Sequence, residues 1–385
     1  MDAVIKKIHL PVILGVLSLF FGCREPFSPE LKDLNQNILV VEGFIEVGGG
    51  TTSIKLSMAS PLYSDIPEFP VPGANITIFG ENGDSWELNT DNFGAYVTDA
   101  ILPENEIYTL SIDLSNGQSY VSDKIKPIIS PEFDITFTQE DGDVQIYSNT
   151  TGNDDAEFFL WQYDETWVYR TPHTSFFNYD KVTKEMVDIP LDQLTNRCYN
   201  FDQSRRIILE ASSRFENSRI FQKELLTIDS LSEKLGIRYR IKAKQYAIDR
   251  EAYIFWEGIR KNSDDIGDIF SPLPSAVTSN IYSIEDPDEP VIGYISAGKS
   301  QEKILYIQNS DVVPWRTSIQ DYFGCIIDTI APPDYEEIFG LLNFIPLYEY
   351  CDDLPCGGFF ASTEGCTDCR LRGGVLEKPD YWKDE

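Results

Sequence analysis

Of the side chains that do chemistry, this chain is rich in one kind and poor in another: it carries 63 aspartates and glutamates and two histidines. Paired carboxylates serve as general acid and base in glycoside hydrolysis, and the best-placed pair is Asp164-Glu165, between Trp161 and Trp167. Strand alternation sets Trp161, Tyr163, Glu165 and Trp167 on one face. That face reads either as a binding face or as a core face on which an arginine such as Arg238 satisfies Glu165. The core reading is favoured, because buried acids are usually paired. His173 is the one histidine beyond the first 22 residues, and Thr171, Pro172 and Thr174 around it read as a surface loop. A histidine triad or histidine-rich metal site would rest on it alone. No nucleophile elbow, zincin helix, phosphate loop or dinucleotide fingerprint occurs. We therefore expect no catalytic residues, no cofactor and no metal ligand set; a carboxylate-dependent hydrolase built on Glu165 stands as an alternative.

Cysteine is the other reactive type, with seven copies. Lys6 and Lys7 precede an apolar run from Ile8 to Phe21, and Gly22-Cys23 follows. The run is too short to span a bilayer and fits a signal-peptide core. A small residue directly before the cysteine is the lipoprotein processing pattern, although Phe20 stands where Leu is usual. Residues 1–22 are thus expected to be a lipoprotein signal peptide, Cys23 the lipidated residue, and 23–37 a polar tether with Pro26 and Pro29. An ordinary secreted protein is the alternative. Acyl chains on Cys23 would hold the protein to a membrane with no transmembrane helix. The other six, Cys198, Cys325, Cys351, Cys356, Cys366 and Cys369, are an even number behind an export signal and point to disulfides, of open connectivity. A four-cysteine zinc site competes, since Cys351-x4-Cys356 and Cys366-x2-Cys369 have ribbon-like spacing. Either way 351–385 should be stapled.

Charge narrows the partners. The formal net charge is −32, and −33 once residues 1–22 are removed with two lysines and one aspartate. A nucleic-acid partner is excluded, because phosphate demands a basic face. The acidic groups Asp154-Asp155, Asp264-Asp265 with Asp268, and Glu285 to Glu289 lack the spacing of an EF-hand loop. Aromatics at 13% argue against disorder.

Those groups must be positioned by strands. Ile38 to Val47, Ser53 to Met58, Ala74 to Phe79, Ser85 to Asn89, Gly94 to Tyr96, Tyr108 to Leu114 and Gln118 to Lys124 alternate or are flanked by turn signals, so residues 38–128 read as a β-sandwich. Pro127 and Pro131 bracket a linker. Residues 129–385 read as a larger β-rich domain. Its expected strands are 134–137, 144–148, 158–169, 206–211, 219–227 and 235–247, with 291–296 and 303–307 as a pair. One helix is expected from about Asp249 to Asn262, capped by Asp249, with Ala252, Phe255, Trp256 and Ile259 on one face. The fold class is therefore mainly β: a sandwich, then a β-rich domain with one clear helix and a cysteine-rich C-terminus.

Two resemblances follow from these segments. Val71-Pro72-Gly73-Ala74-Asn75-Ile76-Thr77-Ile78, Asp91-Asn92-Phe93-Gly94-Ala95-Tyr96 and Tyr108-Thr109-Leu110 resemble the carboxypeptidase-regulatory, transthyretin-like sandwich, which implies no catalysis. A wider set resembles a Bacteroidota lipoprotein family, domain-of-unknown-function family 4249. It comprises Leu39 to Gly43, Asp164 to Trp167, Arg238-Tyr239, Lys244 to Tyr246, Glu251 to Trp256, Gly267 to Ser275, Asn280-Ile281, Asp286 to Tyr294 and the tail from Cys366 to Trp382. Trp315 to Tyr350 is an unusually long insert by comparison. The resemblance implies an outer-membrane lipoprotein, on the periplasmic or cell-surface face, that serves as a binding or accessory subunit of a TonB-dependent nutrient-uptake receptor. A surface structural or adhesion module is the alternative in another class.

Overall fold

The computed structural model describes residues 38–59, 68–90, 93–264, 278–312, 314–351 and 357–384. Cys23, Cys356 and the segment Gly267 to Ser275 lie outside them.

The chain enters at β1 (Leu39–Glu46) and returns antiparallel as β2 (Thr52–Ala59). Against β2 lie β3 (Glu68–Pro70) and β7 (Ala95–Thr98), with β6 (Asn89–Thr90) beyond β7. The facing sheet holds β4 (Asn75–Gly80), β5 (Ser85–Glu87), β8 (Tyr108–Asp113) and β9 (Ser119–Ser122), in the order β9-β8-β4-β5. Alternation does the work here. Ile54 and Leu56 from one sheet and Ile76, Ile78, Leu110 and Ile112 from the other are at most 1% exposed, each stabilising by roughly 1.5–3 kcal/mol. Tyr96 pins the Val71 to Ala74 corner: its hydroxyl donates to the Val71 carbonyl (2.7 Å) and accepts from the Ala74 amide (2.9 Å).

The sandwich is not closed by residues 38–128. β10 (Ile128–Ile129), β21 (Val291–Ile292) and β22 (Ser296–Lys299) join its first sheet, and β20 (Ile281–Ser283) pairs with β9. β21 and β22 run parallel to β1. The expected pairing of 291–296 with 303–307 is therefore corrected, and the linker bracketed by Pro127 and Pro131 contains β10. Ser130 there accepts from the Ala247 amide at 2.7 Å. Two glycines permit this close approach at positive φ. A Cβ on Gly43 would lie 2.4 Å from the Ser53 carbonyl oxygen, and one on Gly293 2.2 Å from that of Val41.

The second region stacks two more sheets. One is β11 (Phe133–Glu140), β12 (Asp143–Thr151) and β18 (Arg219–Ile228). The other runs β16 (Arg197–Gln203), β13 (Phe158–Arg170), β19 (Arg238–Ile248), β23 (Gln301–Gln308), with β17 (Ile208–Ala211) also on β13. Ile146, Leu225, Phe159, Trp161, Tyr239 and Ile241 are fully buried in their common core. Helix α1 (Arg250–Asp264) follows β19 and ends two residues beyond its sequence pattern. The Asp249 carboxylate accepts from the Ala252 amide at 2.6 Å, and Ala252 and Phe255 are buried.

The insert is structured. It supplies β24 (Asp328–Ile330) and β25 (Phe344–Tyr350), which flank β26 (Gly358–Thr363). Phe339 and Phe359 pack there with Tyr179 of the hairpin β14 (Phe177–Asp180) and β15 (Glu185–Asp188). Pro346 and the bulge beside it hide β25 from any alternation reading.

Candidate functional site

The four residues of the expected binding face, Trp161, Tyr163, Glu165 and Trp167, do share one face of β13, but it faces the core. Trp161 is fully buried, and its indole N–H donates to Gln245 Oε1 at 3.0 Å. Glu165, 3% exposed, accepts two bonds from Lys234 Nζ (2.9 and 2.8 Å) and one from the Tyr239 hydroxyl (2.6 Å). Lys234 also sits 4.9 Å from the Trp167 ring centroid. Burial first, and the Glu165 charge second, push the Tyr163 hydroxyl up to about 12 and Tyr239 well above its ordinary value. Arg238 does not serve Glu165. Ile241, not Arg238, stands opposite Glu165, and Arg238 lies over the Tyr306 ring at 4.6 Å. Asp164 pairs instead with Lys242 at 3.5 Å. Adjacent strand residues point to opposite faces, so Asp164 and Glu165 do not form one acid–base pair.

The cysteines resolve the competition between zinc and disulfides. Cys198 is bonded to Cys369 and Cys325 to Cys366, with Cα atoms 5.8 and 5.6 Å apart. Cys351 is also disulfide-bonded. Neither pair lies within the C-terminal segment alone: one ties it to β16 and the other to the insert. His173 belongs to this staple and not to a bare surface loop. Its amide donates to the Cys366 carbonyl (3.1 Å), and its ring Nε2 lies 3.3 Å from the Cys325 carbonyl. Among the described residues no group of three or more His, Cys, Asp or Glu could hold a metal ion. Two of the expected acidic residues, Glu285 and Glu289, accept from the Ser119 amide (3.1 Å) and the Tyr120 hydroxyl (2.8 Å), securing the hairpin of the sandwich.

The arrangement best suited to a ligand lies on the outward face of the β13–β19 sheet. There β1 and helix α1 close over Leu160, Gln162, Lys244 and Tyr246 to leave a cleft of about 320 Å³. Phe44, Tyr246, Trp256 and Tyr294 give it aromatic walls, and Glu46 and Lys244 a charged pair 3.2 Å apart. The Phe44 and Tyr246 rings are 4.7 Å apart, and Lys244 Nζ is 5.1 Å from the Tyr246 ring. Glu46 is 4% exposed and also accepts from the Ser300 amide at 2.7 Å. Tyr246 donates to Gln162 Oε1 (3.2 Å), and Tyr294 to Asp249 Oδ2 (3.4 Å). Burial, then the carboxylates Glu46 and Asp249 respectively, drive both hydroxyls far above the usual tyrosine range. Both stay neutral donors. Such walls accept a ring-bearing solute by stacking, while the hydroxyls and the ion pair fix its orientation. Sequence reasoning missed the cleft because its walls come from four distant segments. The residues were legible: Gly43, Tyr246, Trp256 and Tyr294 stand in or beside motifs that carried the family resemblance.

Residues 24–304 match the model of the family described as "Domain of unknown function (DUF4249)". The match takes in the sandwich, the helix and the cleft, and stops before the insert and the disulfide-bonded tail. No curated protein matches the chain.

Proposed function

The chain belongs to this family of unknown function, and from that premise we propose that it is a lipid-anchored outer-membrane binding protein, accessory to a TonB-dependent nutrient receptor. The observation that carries the binding role is the aromatic, charge-gated cleft where the family's separate segments meet. The family match begins at residue 24, directly after Cys23, which supports reading residues 1–22 as a signal peptide and Cys23 as the anchor. We further read the first sandwich as transthyretin-like, with Tyr96 as its corner tie, and the chain as a Bacteroidota lipoprotein. A preformed cleft on a tether suits capture of a solute beside a receptor that takes it up.

Labelling cells with a radioactive palmitate precursor tests the anchor: Cys23→Ser should abolish the label and move the protein out of the outer-membrane fraction. Cross-linking in intact cells followed by mass spectrometry tests the accessory role, the expected partner being a TonB-dependent receptor. Retained label in Cys23→Ser sinks the anchor. A chain that cross-links to no such receptor under conditions where it is expressed sinks the accessory role.

A further inference from the structure

A second hollow, of about 700 Å³, lies further along the same outward sheet face, between β16, β13, β19 and Tyr381 of the C-terminal tail. Its charges are unevenly matched. Lys242 pairs with Asp164 at 3.5 Å, Arg205 with Asp202 at 3.4 Å, and Glu165 is held by Lys234. Arg240 is the exception. It is 4% exposed, it makes no ion pair among the described residues, and its buried Nε has no hydrogen-bond partner. Its guanidinium rests on the Tyr381 ring, 4.4 Å from the centroid, and Tyr381 is placed by a 3.1 Å bond between its hydroxyl and Thr166 Oγ1. A buried guanidinium with no anion is costly, and it is more surprising in a chain of net charge −32.

We propose that this hollow is a binding site for a small organic carboxylate, with Arg240 as its anion anchor. The planar fork of an arginine takes a carboxylate in two parallel hydrogen bonds. Phe201 and Tyr381 line the same hollow and supply ring faces for the body of the ligand. Asp164, Glu165 and Asp202 line it too. Each is already matched by a cation, so Arg240 alone is left for a ligand, and one uncompensated charge suits a singly charged carboxylate better than a phosphate dianion. This site is separate from the aromatic cleft and does not depend on the membrane or receptor reading.

Calorimetric titration of the purified chain with benzoate, glucuronate and inorganic phosphate tests the assignment. At least one of the two carboxylates should bind one to one. Arg240→Gln should weaken it at least tenfold, Arg240→Lys should recover only part of the loss, and Lys124→Gln, at an exposed lysine of the sandwich paired with Glu81, should leave it unchanged. Binding of neither carboxylate, equal binding by Arg240→Gln, or tighter binding of phosphate than of both carboxylates overturns the proposal. Melting curves report whether each variant is folded. If Arg240→Gln does not fold, Lys242→Gln replaces it: the expected result is weakening of at least threefold, and unchanged affinity overturns the proposal.

Discussion

At the residue scale the molecule is governed by where its few cations are spent. Glu165 is accommodated inside the core because Lys234 and Tyr239 give it three hydrogen bonds. Glu165→Gln should cost about 2–4 kcal/mol, since it strands a partly buried lysine, and should lower the urea midpoint with an unchanged slope. Replacing Glu165 and Lys234 together by methionines should cost less than either single change. Asp368 gives a pH dependence. Burial alone would raise its pKa, but hydrogen bonds from the Arg370 side chain and amide, together with its charge, outweigh that and hold it below the ordinary value. A depressed folded-state carboxylate stabilises above its unfolded pKa and loses that stability on protonation. Unfolding free energy should therefore fall as pH drops below about 4, and fall less steeply in Arg370→Gln. Equal slopes in acid titrations of the two proteins would refute the assignment. Alternation places Glu165 on one face with Trp161, Tyr163 and Trp167, and their aromatic company favours the core reading that the structure shows. The identity of its cation was not legible in the sequence, since Lys234 lies in a turn before β19 and only the fold brings it near.

Elements follow local rules where they are long and depart from them where pairing is distant. Asp249 caps the helix as its residue type predicts, and Asp249→Ala should cost about 1 kcal/mol, read by thermal unfolding. The long strands β12, β13, β18 and β19 carry their own patterns and fall within a few residues of the sequence expectation. Strands β14, β15 and β24 to β26 do not: β14, β15 and β24 have only three or four residues, β25 is broken at Pro346, and burial along β26 does not alternate. Disulfide candidates were legible as a set. Their pairing was not, because Cys198 and Cys369 are 171 residues apart in sequence. On loop-closure entropy that bond is worth about 5 kcal/mol and the Cys325–Cys366 bond about 4 kcal/mol. Replacing Cys198 and Cys369 together by alanine should lower the denaturation midpoint more than replacing Cys325 and Cys366. The reverse order would show that strain or unfolded-state structure, and not loop length, sets their worth.

At the scale of the whole molecule, the β-sandwich is legible in residues 38–128, but its completion by strands 281–299 is not, since β20 to β22 are two to four residues long and pair with strands more than 150 residues away in sequence, which leaves no mark in local alternation. Residues 38–128 expressed alone should stay unfolded or aggregate, with collapsed amide dispersion in NMR, whereas the full chain should give a native spectrum. A well-dispersed spectrum from the fragment would mean that β20 to β22 merely decorate a self-sufficient sandwich. That same interleaving sets how the protein bears load. Any pull applied upstream of Leu39 enters at β1, which is gripped by β2 on one side and by β21 and β22 on the other. Force along β1 must shear several hydrogen bonds at once; it cannot peel them one by one. The strand nearest the lipid anchor proposed here is thus built as a mechanical root.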